Sequence, residues 1–136
     1  MQIEIFTICD SAQVYSGKAV VVGAFNQLIA KTLPVQIPNL TLAVRVTFEK
    51  GEAGDKTFYF FLNNPDGSQL IPELRFDAKQ GVPLEKQDPL TTFDMNIVLG
   101  NVPLKQFGVY TVTMKVDGKE SLLKFFVQED KKLKPQ

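Results

Sequence analysis

The chain has 136 residues, of which 44% are hydrophobic and 22% are charged, a composition typical of one folded domain. Fifteen basic and fifteen acidic residues give a formal net charge of zero, so no long-range field steers the chain to nucleic acid or to an anionic membrane. Histidine is absent and Cys9 is the only cysteine, which excludes Ser-His-Asp and Cys-His catalysis, an intrachain disulfide and the usual structural zinc site.

The first six residues lack the basic and long apolar regions of a secretory signal, and no apolar run approaches the roughly 20 residues of a membrane span. A lone cysteine also fits a reducing compartment. We therefore expect a soluble, cytoplasmic protein that has neither a membrane nor nucleic acid as a partner. We place a single domain over residues 1–128 and a flexible C-terminal tail over residues 129–136, where lysines and Pro135 leave little to bury.

Two strands are predicted in the N-terminal third of the chain. Ile3 to Cys9 is apolar on both sides of its alternation, as expected for a central or well-covered strand, and Ser11 to Lys18 follows as a turn-like connection. Ala19 to Ile29 contains three consecutive valines, which favour a strand, and Gly23 in its middle predicts a bulge or the close approach of another group. Residues 30–38 contain two prolines and are predicted to form a loop or a crossover.

Alternation is strongest in the middle of the chain. In Asn39 to Glu49, apolar side chains occupy every second position, so one face of a strand should pack in the core and the other should meet water. Lys56 to Leu62 has the same period, and Asn63 to Gly67 carries the proline, aspartate and glycine of a hairpin turn. Gln69 to Phe76 is predicted as a weaker edge strand, since Pro72 cannot donate a ladder hydrogen bond.

The second half of the chain begins with the longest predicted loop, Asp77 to Pro89, followed by a strand over Leu90 to Leu99 and a corner over Gly100 to Gln106. Tyr110 to Val116 alternates strictly, and Asp117-Gly118 is a hairpin signal because a type I′ turn needs positive φ at both central positions. Eight strand candidates and no helical period predict an all-β fold. We expect an antiparallel β-sandwich of about seven to eight strands with little or no helix, and a barrel is the alternative.

The approach to Tyr110 predicts a more specific topology. In immunoglobulin-type domains, a tyrosine near the start of the penultimate strand ties down the preceding corner through its hydroxyl. Gly108-Val109-Tyr110 fits that position, although the usual cysteine pair and tryptophan are missing. We therefore predict an Ig-like sandwich in topology only.

Aromatic side chains on both faces of the strands give the main functional lead. Three of them lie on the faces opposite those of neighbouring phenylalanines: Tyr59, Phe61 and Phe126. An exposed patch of large aromatics usually marks an interface. We therefore predict a non-enzymatic protein-interaction module, a homo-oligomer or the binder of a protein partner, with these three residues as the candidate interface. The alternative is that long loops cover these strands on both sides.

Other chemistries have weaker support in the sequence. The alternative function is a module that binds carbohydrate or calcium. It would use three predicted loops: Ser11–Lys18, Ala78–Pro89 and Gly100–Gln106. The aspartates stand mostly in turns and match no compact calcium loop, and paired carboxylates for glycoside hydrolysis need a separation that sequence does not give. We interpret Cys9 as a buried thiol at a strand end, and we predict no catalytic residue, no cofactor and no metal site.

Short motifs spread along the chain together resemble those of a known family: Cys9-Asp10, Gly17-Lys18, Gly23-Ala24-Phe25, Pro34, Pro38, Gly108-Val109-Tyr110 and Val116-Asp117-Gly118. The chain resembles a family of small, uncharacterised bacterial proteins, a domain of unknown function with an Ig-like sandwich. The resemblance spans nearly the whole chain. It implies a fold and a bacterial cytoplasmic setting, and it supplies no catalytic residues.

Overall fold

The computed structural model describes residues 1–52, 54–82 and 90–130, and within these ranges it contains ten strands, one short 3₁₀ turn and no α-helix. The strands are β1 (Gln2–Cys9), β2 (Ser11–Tyr15), β3 (Lys18–Val22), β4 (Gln27–Ala30), β5 (Val35–Glu49), β6 (Gly54–Asn63), β7 (Leu74–Val82), β8 (Leu90–Leu104), β9 (Gly108–Val116) and β10 (Lys119–Glu129). The 3₁₀ turn spans Lys50–Glu52. The all-β prediction is confirmed.

Eight of the strands form two sheets that face each other across the core. β1-β5-β8 is a three-stranded sheet and β4-β10-β9-β6-β7 is a five-stranded sheet, while β2 and β3 form a separate hairpin. The pairings are antiparallel except that of β4 with β10, which is parallel. Buried apolar side chains from both sheets share one core, so the described residues form a sandwich-like structure.

Strand alternation places this core. On β5, the inward residues Leu42, Val44 and Val46 are buried. Tyr110 of β9 is also buried, and its ring stacks on Phe125 of β10 with the ring centroids 5.1 Å apart. Each large apolar side chain of this kind contributes about 1.5–3 kcal/mol when it leaves water, so these rows hold the two sheets together.

The predicted turn between β9 and β10 is present. Asp117 and Gly118 have φ of 51° and 73°, as a type I′ turn requires, and Val116 pairs with Lys119 across the turn. The Asp117 carboxylate also accepts a hydrogen bond from Lys56 Nζ at 2.7 Å, and the Lys56 side chain is only 7% exposed. The turn therefore supplies the counter-charge for a cation at the margin of the core.

Three predictions for the N-terminal third are wrong. The predicted loop or crossover does not extend to residue 38, because β5 begins at Val35. Ser11 to Lys18 is not a loop, because it lies in the hairpin of β2 and β3, whose turn residues Ser16 and Gly17 both have positive φ. The predicted second strand, Ala19 to Ile29, is split at Gly23 into β3 and β4. β2 has five residues and four of them are exposed. Because only one side chain needs to be buried, the sequence of β2 does not show the alternation of apolar and polar residues that marks a strand.

The predicted loop Asp77–Pro89 is partly strand. β7 begins at Leu74, whereas the prediction began at Gln69, and it runs to Val82 because its ladder with β6 continues. Mixed charge and glycine made this segment resemble a loop, but backbone pairing with a neighbour outweighs such local preferences. Residues 83–89 of the predicted loop lie outside the described residues.

The corner predicted at Gly100–Gln106 is also strand over most of its length. β8 runs to Leu104 and stays paired with β5 across register shifts near Gly100, where φ is 74°. At the other end of the chain, β10 includes Glu129, the first residue of the predicted tail. Residues 131–136 of that tail lie outside the described residues.

Gly23 lies where the chain leaves β3 beside the end of β1. The Asp10 N–H donates to the carbonyl oxygens of Val22 and Gly23, at 3.0 and 3.2 Å. Gly23 has φ of 69°, and a Cβ at this position would lie 2.8 Å from Asp10 Cγ. The close approach that the sequence predicts is therefore made by the Asp10 side chain.

The Tyr110 hydroxyl ties down the corner before β9, as predicted. It donates to the Gln106 carbonyl oxygen at 2.8 Å and accepts from the Gln106 N–H at 3.2 Å. Burial raises the pKa of Tyr110 above its ordinary value, which keeps the hydroxyl protonated and able to donate. One side chain thus satisfies both backbone groups of a corner residue.

We predict that Gly23→Ala destabilises the fold more than Gly17→Ala does. Both glycines have positive φ, so each substitution carries the strain of about 1–2 kcal/mol of a left-handed alanine. Only at Gly23 does the new methyl group meet the Asp10 side chain, whereas nothing lies within 4 Å of the corresponding position at Gly17. Urea unfolding of the two variants measures the difference, and equal losses would show that the Asp10 contact costs nothing.

We predict that Tyr110→Phe lowers the free energy of unfolding by about 1–3 kcal/mol, because it leaves the Gln106 N–H and carbonyl without their partner. Tyr15→Phe is the matched control, since Tyr15 is exposed and its hydroxyl lies in solvent. Chemical denaturation compares the two variants. If both are equally neutral, the corner hydrogen bonds do not stabilise the fold.

Candidate functional site

The three predicted interface residues lie on the outer face of the five-stranded sheet. Tyr59 and Phe61 on β6 are half-buried, and Phe126 on β10 is exposed. Alternation explains this placement, since Phe58 and Phe125 beside them are buried in the core. β9 separates β6 from β10, so Tyr59 and Phe61 share one strand whereas Phe126 lies two strands away.

Two cations lie over the aromatic rings of β6. Arg75 Cζ is 5.7 Å from the centroid of the Tyr59 ring, and Lys115 Nζ is 5.2 Å from the centroid of the Phe61 ring. Both contacts follow from the ladder, in which Tyr59 has Arg75 on one side and Lys115 on the other. Exposed cation–π contacts contribute about 0.5–1 kcal/mol each. They hold the two rings in place and put a positive charge next to each ring on the sheet surface.

Sequence reasoning missed two exposed apolar residues of this face, Leu122 and Val109. Leu122 in the middle of β10 is 58% exposed, and Val109 beside Phe126 is exposed as well. The consecutive leucines Leu122-Leu123 are a signal for this, since neighbouring strand residues point to opposite faces and one of the two must leave the core. We call the surface formed by these outer residues the aromatic face: Tyr59, Phe61, Val109, Leu122 and Phe126.

A depression of about 210 Å³ lies on the β7 side of the aromatic face. It is lined by side chains of β6 and β7: Asp55, Lys56, Thr57, Arg75, Asp77 and Ala78. Asp77 accepts hydrogen bonds from Thr57 at 3.0 Å and from Arg75 at 3.2 Å. The hydrogen bond between Arg75 and Asp77 raises the pKa of the Arg75 guanidinium.

The paired-carboxylate hypothesis needs two carboxyl groups, one as general acid and one as base or nucleophile. Asp55 and Asp77 do line the same depression, but the Asp77 carboxylate already accepts hydrogen bonds from Thr57 and Arg75 within the sheet. We therefore assign the depression to the charged rim of the aromatic face.

A second cleft, of about 360 Å³, lies where the turn after β6 meets the end of β8. Its lining combines four carboxamides and one lysine with apolar side chains: Asn64, Gln69, Leu70, Ile71, Leu99, Asn101, Val102, Pro103, Lys105 and Gln106. Of the described parts of the three predicted ligand loops, Gly100–Gln106 alone contributes to this cleft. Ser11–Lys18 reaches the three-stranded sheet instead, where the Gly17 carbonyl oxygen accepts from the Arg45 guanidinium at 3.4 Å.

Cys9 is buried at the end of β1, in agreement with its interpretation as a structural thiol. Its Sγ lies 3.4 Å from the Ser11 carbonyl oxygen and 3.7 Å from that of Thr41. Burial, and to a lesser degree the charge of Asp10, raises the pKa of the thiol above its ordinary value. A protonated thiol is a poor nucleophile, so these contacts favour a packing role for Cys9.

Within residues 1–52, 54–82 and 90–130, no three Asp, Glu or Cys side chains come together in a group that could hold a metal ion. The turn aspartate Asp66 is engaged locally, where hydrogen bonds from Ser68 and Gln106 lower the pKa of its carboxyl. In the described part of the chain, no helix is long and apolar enough to cross a membrane.

Comparison with known proteins agrees with the family resemblance of the motifs. No curated protein sequence matches the chain. A family of unknown function, DUF6941, matches residues 4–127, a range that contains all ten strands apart from the first two residues of β1 and the last two of β10. The match therefore covers both sheets and the hairpin, and the chain belongs to the DUF6941 family of unknown function.

Proposed function

We propose that this protein is a non-enzymatic interaction module that associates with a second copy of itself through the aromatic face. The observation that carries the proposal is the set of apolar side chains exposed on the outer face of one sheet, with Leu122 at 58% exposure and with Val109 and Phe126 beside each other. Exposed apolar side chains surrounded by polar ones are typical of protein interfaces.

The charges around the aromatic face favour a second copy as the partner. Lys115 lies beside Glu120 in the ladder, and Arg75 is bonded to Asp77 at 3.2 Å. A rim with both signs meets its own copy across a two-fold axis without net repulsion. Because the formal net charge is zero, two copies do not repel each other through their overall charge.

An Ig-like topology is part of the proposal, and the strand order supports it. The orders β1-β5-β8 and β10-β9-β6-β7 match strands A-B-E and G-F-C-C′ of a variable-type immunoglobulin domain. Tyr110 then stands near the start of strand F, where its hydroxyl bonds the preceding corner. A cytoplasmic location is proposed from the unpaired Cys9 thiol, and a bacterial origin is proposed from the family resemblance.

We predict that Leu122→Lys lowers the solution mass of the wild-type oligomer while the fold stays intact. Leu122 is the better position to change because Tyr59 and Phe61 are half-buried under cations. A lysine at position 122 places a charge at a position that the second copy would cover, and desolvating that charge is costly. Light scattering gives the mass, and circular dichroism checks the fold.

Val22→Lys is the matched control, since Val22 is 53% exposed and lies on the separate hairpin. It should leave the mass unchanged. A monomeric wild type, or a Leu122→Lys mass equal to that of wild type, would contradict association through the aromatic face.

The carboxamide cleft supports a second candidate function, binding of a carbohydrate. Amide groups both donate and accept hydrogen bonds, which suits hydroxyl groups, and Leu70, Ile71 and Pro103 offer apolar surface for a sugar ring. Calcium has no comparable support among the described residues.

We predict for this alternative that a saccharide raises the melting temperature of wild type and that Asn101→Ala abolishes the shift, since a ligand of the native state stabilises it by mass action. Asn96→Ala is the control, because Asn96 is an exposed carboxamide on the same strand that does not line the cleft. A thermal-shift panel of mono- and oligosaccharides with no response would remove this alternative and leave the self-association result unaffected.

A further inference from the structure

β8 forms one edge of the three-stranded sheet. It pairs with β5 from Leu90 to Leu104, and among the described residues no strand pairs with its other side. Such an edge presents a row of unpaired N–H and C=O groups, which is a template for pairing with another strand.

Proteins usually carry features that prevent a further strand from pairing with a sheet edge. The edge strands β4 and β7 and the second part of β8 have such features. β4 has only four residues, and β7 carries the charged pair Arg75 and Asp77. The second part of β8 is interrupted by register shifts near Gly100 and ends close to Pro103, which cannot donate.

The stretch Thr91–Leu99 of β8 lacks these devices. It contains no proline, lysine or arginine. Its one charged residue is Asp94, which accepts from Arg45 of β5 at 3.2 Å and is thereby neutralised within the sheet. This part of the edge therefore carries no charge that would repel an added strand.

The core side of the same stretch is incompletely covered. Phe93, Met95, Ile97 and Leu99 face the core but are only partly buried. Across the core, Phe76 on the inner side of β7 remains 38% exposed. The three-stranded sheet is two strands narrower than the five-stranded one, so a strand added beside β8 would cover apolar side chains that the described residues leave in contact with water.

We propose that β8 pairs antiparallel with β8 of a second copy, about a two-fold axis that passes by Asn96. The spacing of the inward residues is symmetric about this position: Met95 would lie opposite Ile97 of the second copy, and Phe93 opposite Leu99. Both cross-strand pairs that these four residues make on the core side are then apolar.

The outer side of the paired strands is equally compatible with a second copy. Asp94 would lie opposite Val98 of the second copy, so like charges never meet. The result is one continuous six-stranded sheet made of two three-stranded sheets. This contact is independent of the aromatic face, which lies on the other sheet, and the two are tested by different variants.

The test is disulfide cross-linking of Asn96→Cys under mild oxidation. Directly opposed residues of antiparallel strands have Cα atoms about 4.5–5.5 Å apart, which is within the range of a disulfide. Val98→Cys is the matched control on the same exposed side of β8: it lies two residues from the axis, so its copy is displaced by four residues, about 13 Å, which is too far to bridge. Cys9 is buried and wild type reports any background from it.

We expect Asn96→Cys to form a cross-linked dimer, and we expect none from Val98→Cys or from wild type. Adding Leu122→Lys to Asn96→Cys should leave the cross-linking unchanged. Asn96→Lys should lower the solution mass of the protein, because it places two ammonium groups face to face at the axis. Failure of Asn96→Cys to cross-link, or equal cross-linking by Val98→Cys, would overturn this pairing. A mass lowered by Leu122→Lys together with no Asn96→Cys cross-link would retain the aromatic face as an interface and reject the β8 contact.

Discussion

The pairing of β9 with a strand on each side is the constraint on which the rest of the structure depends. The ladder places Met114 beside Phe60 of β6 in the core, and one residue away it places Thr113 between Phe61 and Leu122 on the outer face. Because side chains alternate, a shift of one residue would send the whole core row into water, so burial fixes the register. The composition of the aromatic face is therefore a consequence of the packing behind it.

A buried cation reinforces this register at one end of the sheet. Lys56 belongs to the inward row of β6, and its ammonium lies 4.8 Å from the centroid of the Phe48 ring and 2.7 Å from the Asp117 carboxylate. An isolated charge at such a position is costly, and its partner offsets most of that cost. Asp117 thus has two roles, since it adopts the positive φ of the hairpin turn and holds the charge that allows Lys56 to lie in the core row.

The parts of the fold that sequence predicts are those with a clear local signal. The cores of β5, β6 and β9 follow from their apolar period, β1 follows from an apolar run, and the hairpin of β9 and β10 follows from the turn chemistry of Asp117-Gly118. The hairpin of β2 and β3 was missed because most of its first strand is exposed, and the extensions of β7 to Val82 and of β8 to Leu104 depend on partners distant in sequence. Alternation placed three aromatic residues on the side of their strands that faces away from the core: Tyr59, Phe61 and Phe126. It did not identify Leu122, because sequence alone does not say which of the adjacent residues Leu122 and Leu123 faces the core.

The two proposed contacts differ in physical origin, and this decides which of them sequence could reveal. The aromatic face exists because β6, β9 and β10 carry apolar residues on both sides, which alternation reports strand by strand. Among the described residues three strands face five, so β8 has one described partner where a wider sheet would provide two, and this creates the β8 edge. No local pattern in Leu90–Leu99 distinguishes an edge strand from a central one, since both alternate in the same way. Only sheet order shows that the partly buried row of Phe93 and Met95 lies on a strand whose other side pairs with no described strand. That order is fixed by contacts between residues far apart in the chain.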